Sequence, residues 1–178
     1  MTDIIAFDIA TVTGWARGRV GGVPTSGTVA FARSTGASHN AIFGNALRTF
    51  AQMLEPEPRP EALVMEALLP AEVLSNAETR NLLAGLQGIC RGVAHMRGIY
   101  NIGTVNVGDV RKHFINERAC PRDRAKRETI ARCKALGWAV IDDNAADALA
   151  CWHFACSLIK PELALETSPL FNRRLAYG

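Results

Sequence analysis

No stretch of this 178-residue chain approaches the ~20 consecutive apolar residues that a membrane-spanning helix needs. No basic segment precedes an apolar stretch at the N-terminus, where Asp3 falls early, so no secretory signal peptide is expected and a cytoplasmic location is. Cysteine is sparse and odd in number. Cys90, Cys120, Cys133, Cys151 and Cys156 form no C-x-x-C pair, which argues against a disulfide framework or a zinc ribbon. Cys151, His153 and Cys156 lie close together, but their spacing does not put all three on one helical face, so packed, reduced thiols are expected. His39, His95, His113 and His153 have no spacing from which a partner follows. Internal repeats, linkers and low-complexity segments are lacking, so a single domain is expected over residues 1–160, with an irregular tail over 161–178.

What is present is ordinary for a globular protein in bulk, with 48% hydrophobic and 21% charged residues. The net charge of +3 is unevenly spread. Between Arg111 and Lys134 there are nine basic residues against three acids, Glu117, Asp123 and Glu128, a local +6 that leaves the rest of the chain at −3. Such a segment suits a polyanion, and a solvated helix face explains it as well; charge alone leaves both readings open.

Ile4 to Phe7 reads as a buried strand with Asp8 at its exit. A turn supplied by Gly14 and a hairpin at Gly21, Gly22 and Pro24 extend it into an antiparallel three-strand meander ending near Phe31. Ser38 caps a helix whose inward stripe is expected to be Phe43, Leu47, Phe50 and Leu54, stopped by the proline-rich run after Glu55. Ala62 to Met65 reads as a second buried strand leading to Glu66. Ser75 and Glu78 have capping-box spacing for a long helix with Leu82, Leu86, Ile89 and Val93 inward. Gly85, Gly88 and Gly92 within it each cost on the order of 1 kcal/mol against alanine, which points to close approach by the sheet or by a second subunit. A strand from Tyr100 to Val107, a short helix capped by Asp109, a basic helix from Arg122 to Leu136 and a final helix from Asp143 to about Leu158 follow. The pattern predicts an α/β domain: a mixed five-stranded sheet, meander first and strand–helix units after, with helices on both faces.

Asp8, Glu66 and the pair Asp143 and Asp147 each stand where an apolar element ends or begins. Carboxylates beside core segments are costly unless paired or metal-bound. Brought together, Asp8, Glu66 and Asp147 make a hard anionic site for Mg²⁺ or Mn²⁺, suited to phosphodiester hydrolysis, for which no covalent nucleophile is required and none stands out. Taken singly, Asp142 and Asp143 read rather as helix caps and Asp8 as an ordinary strand-end turn residue.

In order along nearly the whole chain, these segments resemble the RuvC family of Holliday junction resolvases, within the ribonuclease H-like superfamily. Ile5-Ala-Phe-Asp8-Ile-Ala-Thr-Val-Thr-Gly14-Trp-Ala is similar to its first-strand motif, and Leu63-Val-Met-Glu66 to its second. Asn76-Ala-Glu-Thr-Arg with Leu83-Ala-Gly-Leu-Gln-Gly resembles the long helix that follows. Val105-Asn-Val through Lys112, and Ala125-Lys126-Arg-Glu-Thr-Ile, resemble the DNA-contacting section, and Asp142-Asp-Asn-Ala-Ala-Asp147-Ala-Leu-Ala resembles the last motif. One position departs: the bacterial members usually carry Asp-Ala-Ala-Asp there, and Asn144 stands in the first place.

The resemblance implies a ribonuclease H-like fold and a Mg²⁺- or Mn²⁺-dependent endonuclease, with two ions per site. Its substrate is branched DNA, the four-way junction above all, cut to 5′-phosphate and 3′-hydroxyl ends. Asp8, Glu66, Asp143 and Asp147 are the expected catalytic and metal-holding acids, with the choice between Asp143 and Asn144 for the second ion open. Lys126 is expected either to neutralise the scissile phosphate or to be one phosphate contact among several, and Arg111, Lys112, Arg122, Arg124, Lys126 and Arg127 are the expected DNA contacts. A homodimer is implied, with the helix from Ser75 to Arg97 as its candidate interface and no membrane partner. Flap, fork or RNA–DNA hybrid cleavage, a junction-binding module without cleavage, and a nucleotide-binding protein of the actin and sugar-kinase type are the competing readings; the last needs two such domains to enclose ATP.

Overall fold

The computed structural model describes residues 2–70, 72–73 and 76–166. Strands β1 (Asp3–Asp8), β2 (Val12–Arg19) and β3 (Thr25–Ala30) come first, then helix α1 (His39–Met53) and strand β4 (Ala62–Glu66). Helix α2 (Ala77–Met96), strand β5 (Asn101–Val105) and helices α3 (Val107–Ile115), α4 (Arg122–Ala135), α5 (Asp143–Ile159) and α6 (Glu162–Glu166) complete the order. The sheet runs β3-β2-β1-β4-β5. The meander β1–β2–β3 is antiparallel, and β1, β4 and β5 run parallel. This is the mixed five-stranded sheet the sequence pattern predicts.

Alternation along the strands decides which residues face which layer. Ile5, Phe7, Leu63 and Met65 point to the face covered by α1 and α2. There Phe50 meets Phe7 and Phe31 edge-on at ring distances of 5.2 and 5.3 Å, contacts worth roughly 0.5–1.5 kcal/mol each beyond area burial. Ile4, Ala6 and Ala62 point the other way, into the core built with α3, α4 and α5. Asp8 and Glu66, continuing these alternations, emerge on the α5 side.

Several boundaries differ from the sequence reading, each for a local reason. Leu47 is 51% exposed while Ile42, Ala46 and Phe50 are buried, so the inward stripe of α1 is rotated from the one expected. Ser75 lies outside the described residues; Asn76 caps α2, its side chain accepting from Thr79 N–H at 3.0 Å. Asn106, rather than Asp109, caps α3 by accepting from Gly108 N–H at 2.8 Å. Helix α6 occupies the start of the segment expected to be irregular, and residues 167–178, with Arg173 and Arg174, lie outside the described residues.

The three glycines of α2 divide. A Cβ on Gly85 would lie 2.6 Å from the Phe43 ring, so this glycine lets α1 seat on α2. Among the described residues nothing lies within 4 Å of a Cβ on Gly88 or Gly92, so packing among those residues does not account for them. Among the described residues no helix is long and apolar enough to cross a membrane.

Candidate active site

Parallel pairing of β1 with β4 in the register Phe7↔Met65 brings the two strand ends level, placing Asp8 beside Glu66. Helix α5 lies across the same sheet face, with eleven of its 17 residues buried. Its start is fixed by Asp142, whose Oδ1 accepts from Ala145 N–H at 2.8 Å and from the Thr28 hydroxyl at 2.7 Å. The cap role foreseen for Asp142 is therefore present. One turn further in, Asp147 meets the two strand-end acids.

Close approach of α5 to the sheet depends on Gly14, which pairs with Asp8 across β1 and β2. A Cβ at Gly14 would lie 1.9 Å from the Asn144 carbonyl oxygen. Beside it, buried Thr13 closes the β1–β2 turn, its hydroxyl donating to the Ala10 carbonyl at 2.7 Å and accepting from Ala10 N–H at 3.2 Å. The Thr-x-Thr-Gly run after Asp8 thus has two structural duties, a turn lock and a docking surface.

Asp8, Glu66, Asp147 and Asn144 line one cavity of about 520 Å³, together with Arg111, Arg122 and Lys126. Burial dominates the electrostatics. It pushes Glu66 up to about 8, helped by Asp8 and Asp147 and opposed by Arg111. Asp147 rises to about 7, from burial first and Asp8 next, again against Arg111. Asp8 is raised by burial and by Asp143, with Arg122, Lys126 and Arg111 opposing. Three acids that destabilise one another's charge share a space that three cations only partly neutralise.

Asp143 does not line this cavity. It is ion-paired with Lys126, and the Lys126 hydrogen bond holds its carboxyl below the usual range. Asn144, the next residue along, faces the cavity instead. Of the basic residues singled out in the sequence, Arg111, Arg122 and Lys126 line the cavity and Lys112, Arg124 and Arg127 do not. Arg124 is exposed and paired with Glu117 and, at 2.6 Å, with Glu128. Lys112 is exposed and donates to Asn116 Oδ1 at 3.2 Å, and Arg127 is exposed outside the cavity lining.

The donor set fits a hard divalent cation in kind: three carboxylates and an amide, all oxygen donors, in a partly desolvated space. Among the described residues, no three His, Cys, Asp or Glu side chains already converge as a metal-holding group. The same holds for Cys151, His153 and Cys156; all five cysteines are free, four of them buried.

His153 has a partner that no sequence spacing revealed. Its Nδ1 lies 2.8 Å from His113 Nε2, across the α3–α5 contact. Burial, then Arg132, lowers His113 to about 4, and burial, then His113 and Arg132, lowers His153 to about 3. Both are neutral in the folded protein, whereas unfolded imidazoles take up protons near ~6.5. The pair's contribution is complete above that value and is lost as pH falls from there towards 4. Two protons set a maximum slope of about 2.7 kcal/mol per pH unit. The double variant His113→Leu/His153→Leu is expected to melt with a visibly flatter pH profile between pH 6.5 and 4 than the wild type.

This arrangement, a meander-first mixed sheet with acids at the ends of its two central strands and on a helix across it, is the ribonuclease H-like α/β fold. Among solved structures the chain is similar to Thermus thermophilus RuvC, at 16% identity and a TM-score of 0.69 over 90% of this chain and 97% of that one. It is similar to the T. thermophilus RuvC complex with Holliday junction substrate, at 16% identity and a TM-score of 0.68 over 90% and 96%. The yeast mitochondrial Holliday junction resolvase matches at 10% identity and a TM-score of 0.59 over 98% and 84%. No protein-family model and no curated protein sequence matches the chain. At these identities the likeness is one of fold, and it is to RuvC-type resolvases.

Proposed function

We propose that the protein is a divalent-metal-dependent endonuclease that cuts branched DNA, four-way junctions first among its substrates. The observation that carries this reading is the meeting of Asp8, Glu66 and Asp147 in one cavity with Arg111, Arg122 and Lys126, on a fold shared with a protein solved in complex with Holliday junction substrate. Asp8, Glu66 and Asp147 are the residues that would hold Mg²⁺ or Mn²⁺, with the Asn144 amide oxygen as the fourth donor in place of the expected Asp143. A pair of such ions, held there, would supply activation of water and stabilisation of the leaving oxygen, the chemistry that gives 5′-phosphate and 3′-hydroxyl ends. The chain's own part is to orient. Arg111 and Arg122 draw the phosphodiester to the carboxylates, and Lys126, aimed by Asp143, offsets charge developing on the scissile phosphate. Lys112 and Arg127 contact the backbone further out, and Arg124 ties the segment around Glu117 to α4.

A four-way junction asks for two cuts, which a symmetric dimer supplies. The α2 face bearing Gly88 and Gly92, open to 4 Å, is the surface proposed for that contact. Gly88→Glu with Gly92→Glu is expected to turn a dimer into a monomer in sedimentation and to replace paired cuts with single nicks. A chain that sediments as a monomer before substitution removes this part of the proposal.

Arg111→Ala is expected to weaken binding to every DNA shape and to reduce the salt slope of log K by about 1, and Lys112→Ala to do the same more mildly. Unchanged slopes in both would show that this face does not meet DNA. The substrate class is tested by presenting labelled four-way junctions, flaps, forks and RNA–DNA hybrids with Mg²⁺ or Mn²⁺. Preferred, paired cutting of the four-way junction supports the reading; preference for a flap, fork or hybrid moves the activity to that substrate.

A further inference from the structure

Gln87 is an oddity on α2. The helix turns Leu82, Leu86, Cys90 and Val93 inward, yet Gln87 is also buried, at 8% exposure. A buried amide is costly unless its groups are bonded. Its Nε2 donates to the Glu66 main-chain carbonyl at 2.7 Å, and its side chain borders the carboxylate cavity.

The next atoms along the chain give that bond its meaning. The Ala67 N–H donates to the Val105 carbonyl at 2.8 Å. The carbonyl of Glu66 and the N–H of Ala67 belong to one planar peptide unit. That unit is therefore held at both ends, by α2 through Gln87 and by β5 through Val105. Fixing its plane fixes ψ of Glu66, and with it the direction in which the side chain leaves the end of β4.

We propose that Gln87 is a positioning residue that aims the Glu66 carboxylate into the cavity by pinning the peptide after it. Without the amide, the end of β4 keeps the β5 bond alone and the peptide can rock about it. The Glu66 oxygens then spend less time where they can share a cation with Asp8 and Asp147. This rests on the metal-site reading above and adds a residue that organises one of its three acids.

The test uses Gln87→Met, which keeps the length and bulk of the side chain and removes the donor, and Gln87→Asn, which keeps the amide but sets it one methylene short. Melting is followed in EDTA and across Mn²⁺ and Mg²⁺ titrations, beside metal-free junction affinity and the turnover and KM of cleavage. The expected result is a cation midpoint raised about tenfold or more in both variants, as outer-shell losses do. Turnover falls with it, while metal-free DNA affinity stays at the wild-type value and metal-free melting of the Met variant falls by no more than the loss of one hydrogen bond implies. Both variants matching the wild-type midpoint would overturn the proposal, as would a Gln87→Asn loss that Gln87→Met does not share. A wild type whose melting ignores both cations would instead remove the metal-site reading, and the proposal with it.

Discussion

Glu66→Gln is expected to abolish DNA cleavage and, in EDTA at pH 8, to melt higher than the wild type. Both effects have one cause. Burial and the neighbouring acids lift Glu66 to about 8 in the folded protein, far above its value in the unfolded chain. A folded-state value raised in this way means that the stability present below the unfolded value is lost as pH rises through the folded one. The neutral amide escapes that loss. The gain at pH 8 is on the order of 2–4 kcal/mol, discounted from the full shift at about 1.36 kcal/mol per unit, or roughly 5–10 °C in melting temperature for a chain of this size. Losing a carboxylate from a site worth several kcal/mol of transition-state stabilisation lowers the rate at least ~10³-fold. Mn²⁺ should raise the melting temperature of the wild type at pH 8 and much less at pH 6, where protons compete. It should leave Glu66→Gln almost unmoved. A variant less stable than the wild type in EDTA at pH 8 would mean that Glu66 is already neutralised by its surroundings.

Gly14→Ala should damage stability and cleavage together. The added methyl would meet the Asn144 carbonyl at 1.9 Å and the Ala145 nitrogen at 3.2 Å, and both are backbone, so neither can swing aside. The first turn of α5 must move off the sheet, carrying Asn144 and Asp147 with it. Overpacking of this kind costs about 1–3 kcal/mol, and a ~1 Å displacement of a reacting group about 100-fold in rate. Gly44→Ala is the control: it lies in α1 with nothing within 4 Å, and a helix interior gains up to about 1 kcal/mol from alanine. Equal behaviour of the two variants would contradict the docking role of Gly14.

The carboxylates at Asp8 and Glu66 were legible in the sequence because strand alternation is strict: an apolar run that stops at an acid puts that acid at a strand exit. Asp147 was legible because it opens an apolar helix. The choice between Asp143 and Asn144 was not. Adjacent helical positions differ by about 100° around the axis, and which one faces the cavity depends on the seat of α5 against Gly14. The partner that draws Asp143 aside, Lys126, is on another helix. Charge counting found the basic segment but not its internal pairing, in which Arg124 is matched by Glu117 and Glu128. Gln87, His113 and His153 act through partners 21 and 40 residues away, distances at which local pattern carries no signal. Leu47 and Ile42 exchanged places for a related reason: both fit a helical period, and only the packing of α1 on α2 around Gly85 chooses between them.

The most direct measurement is cleavage of an end-labelled four-way junction in Mg²⁺ or Mn²⁺ by the wild type and by Asp8→Asn, with binding followed in parallel. Paired, symmetric cuts by the wild type, absent from an Asp8→Asn protein that still binds the junction, are the predicted result. A wild type that binds the junction and cuts no branched DNA with either ion would contradict the account, and would leave a junction-binding module in which Asn144 is the first residue to restore to Asp.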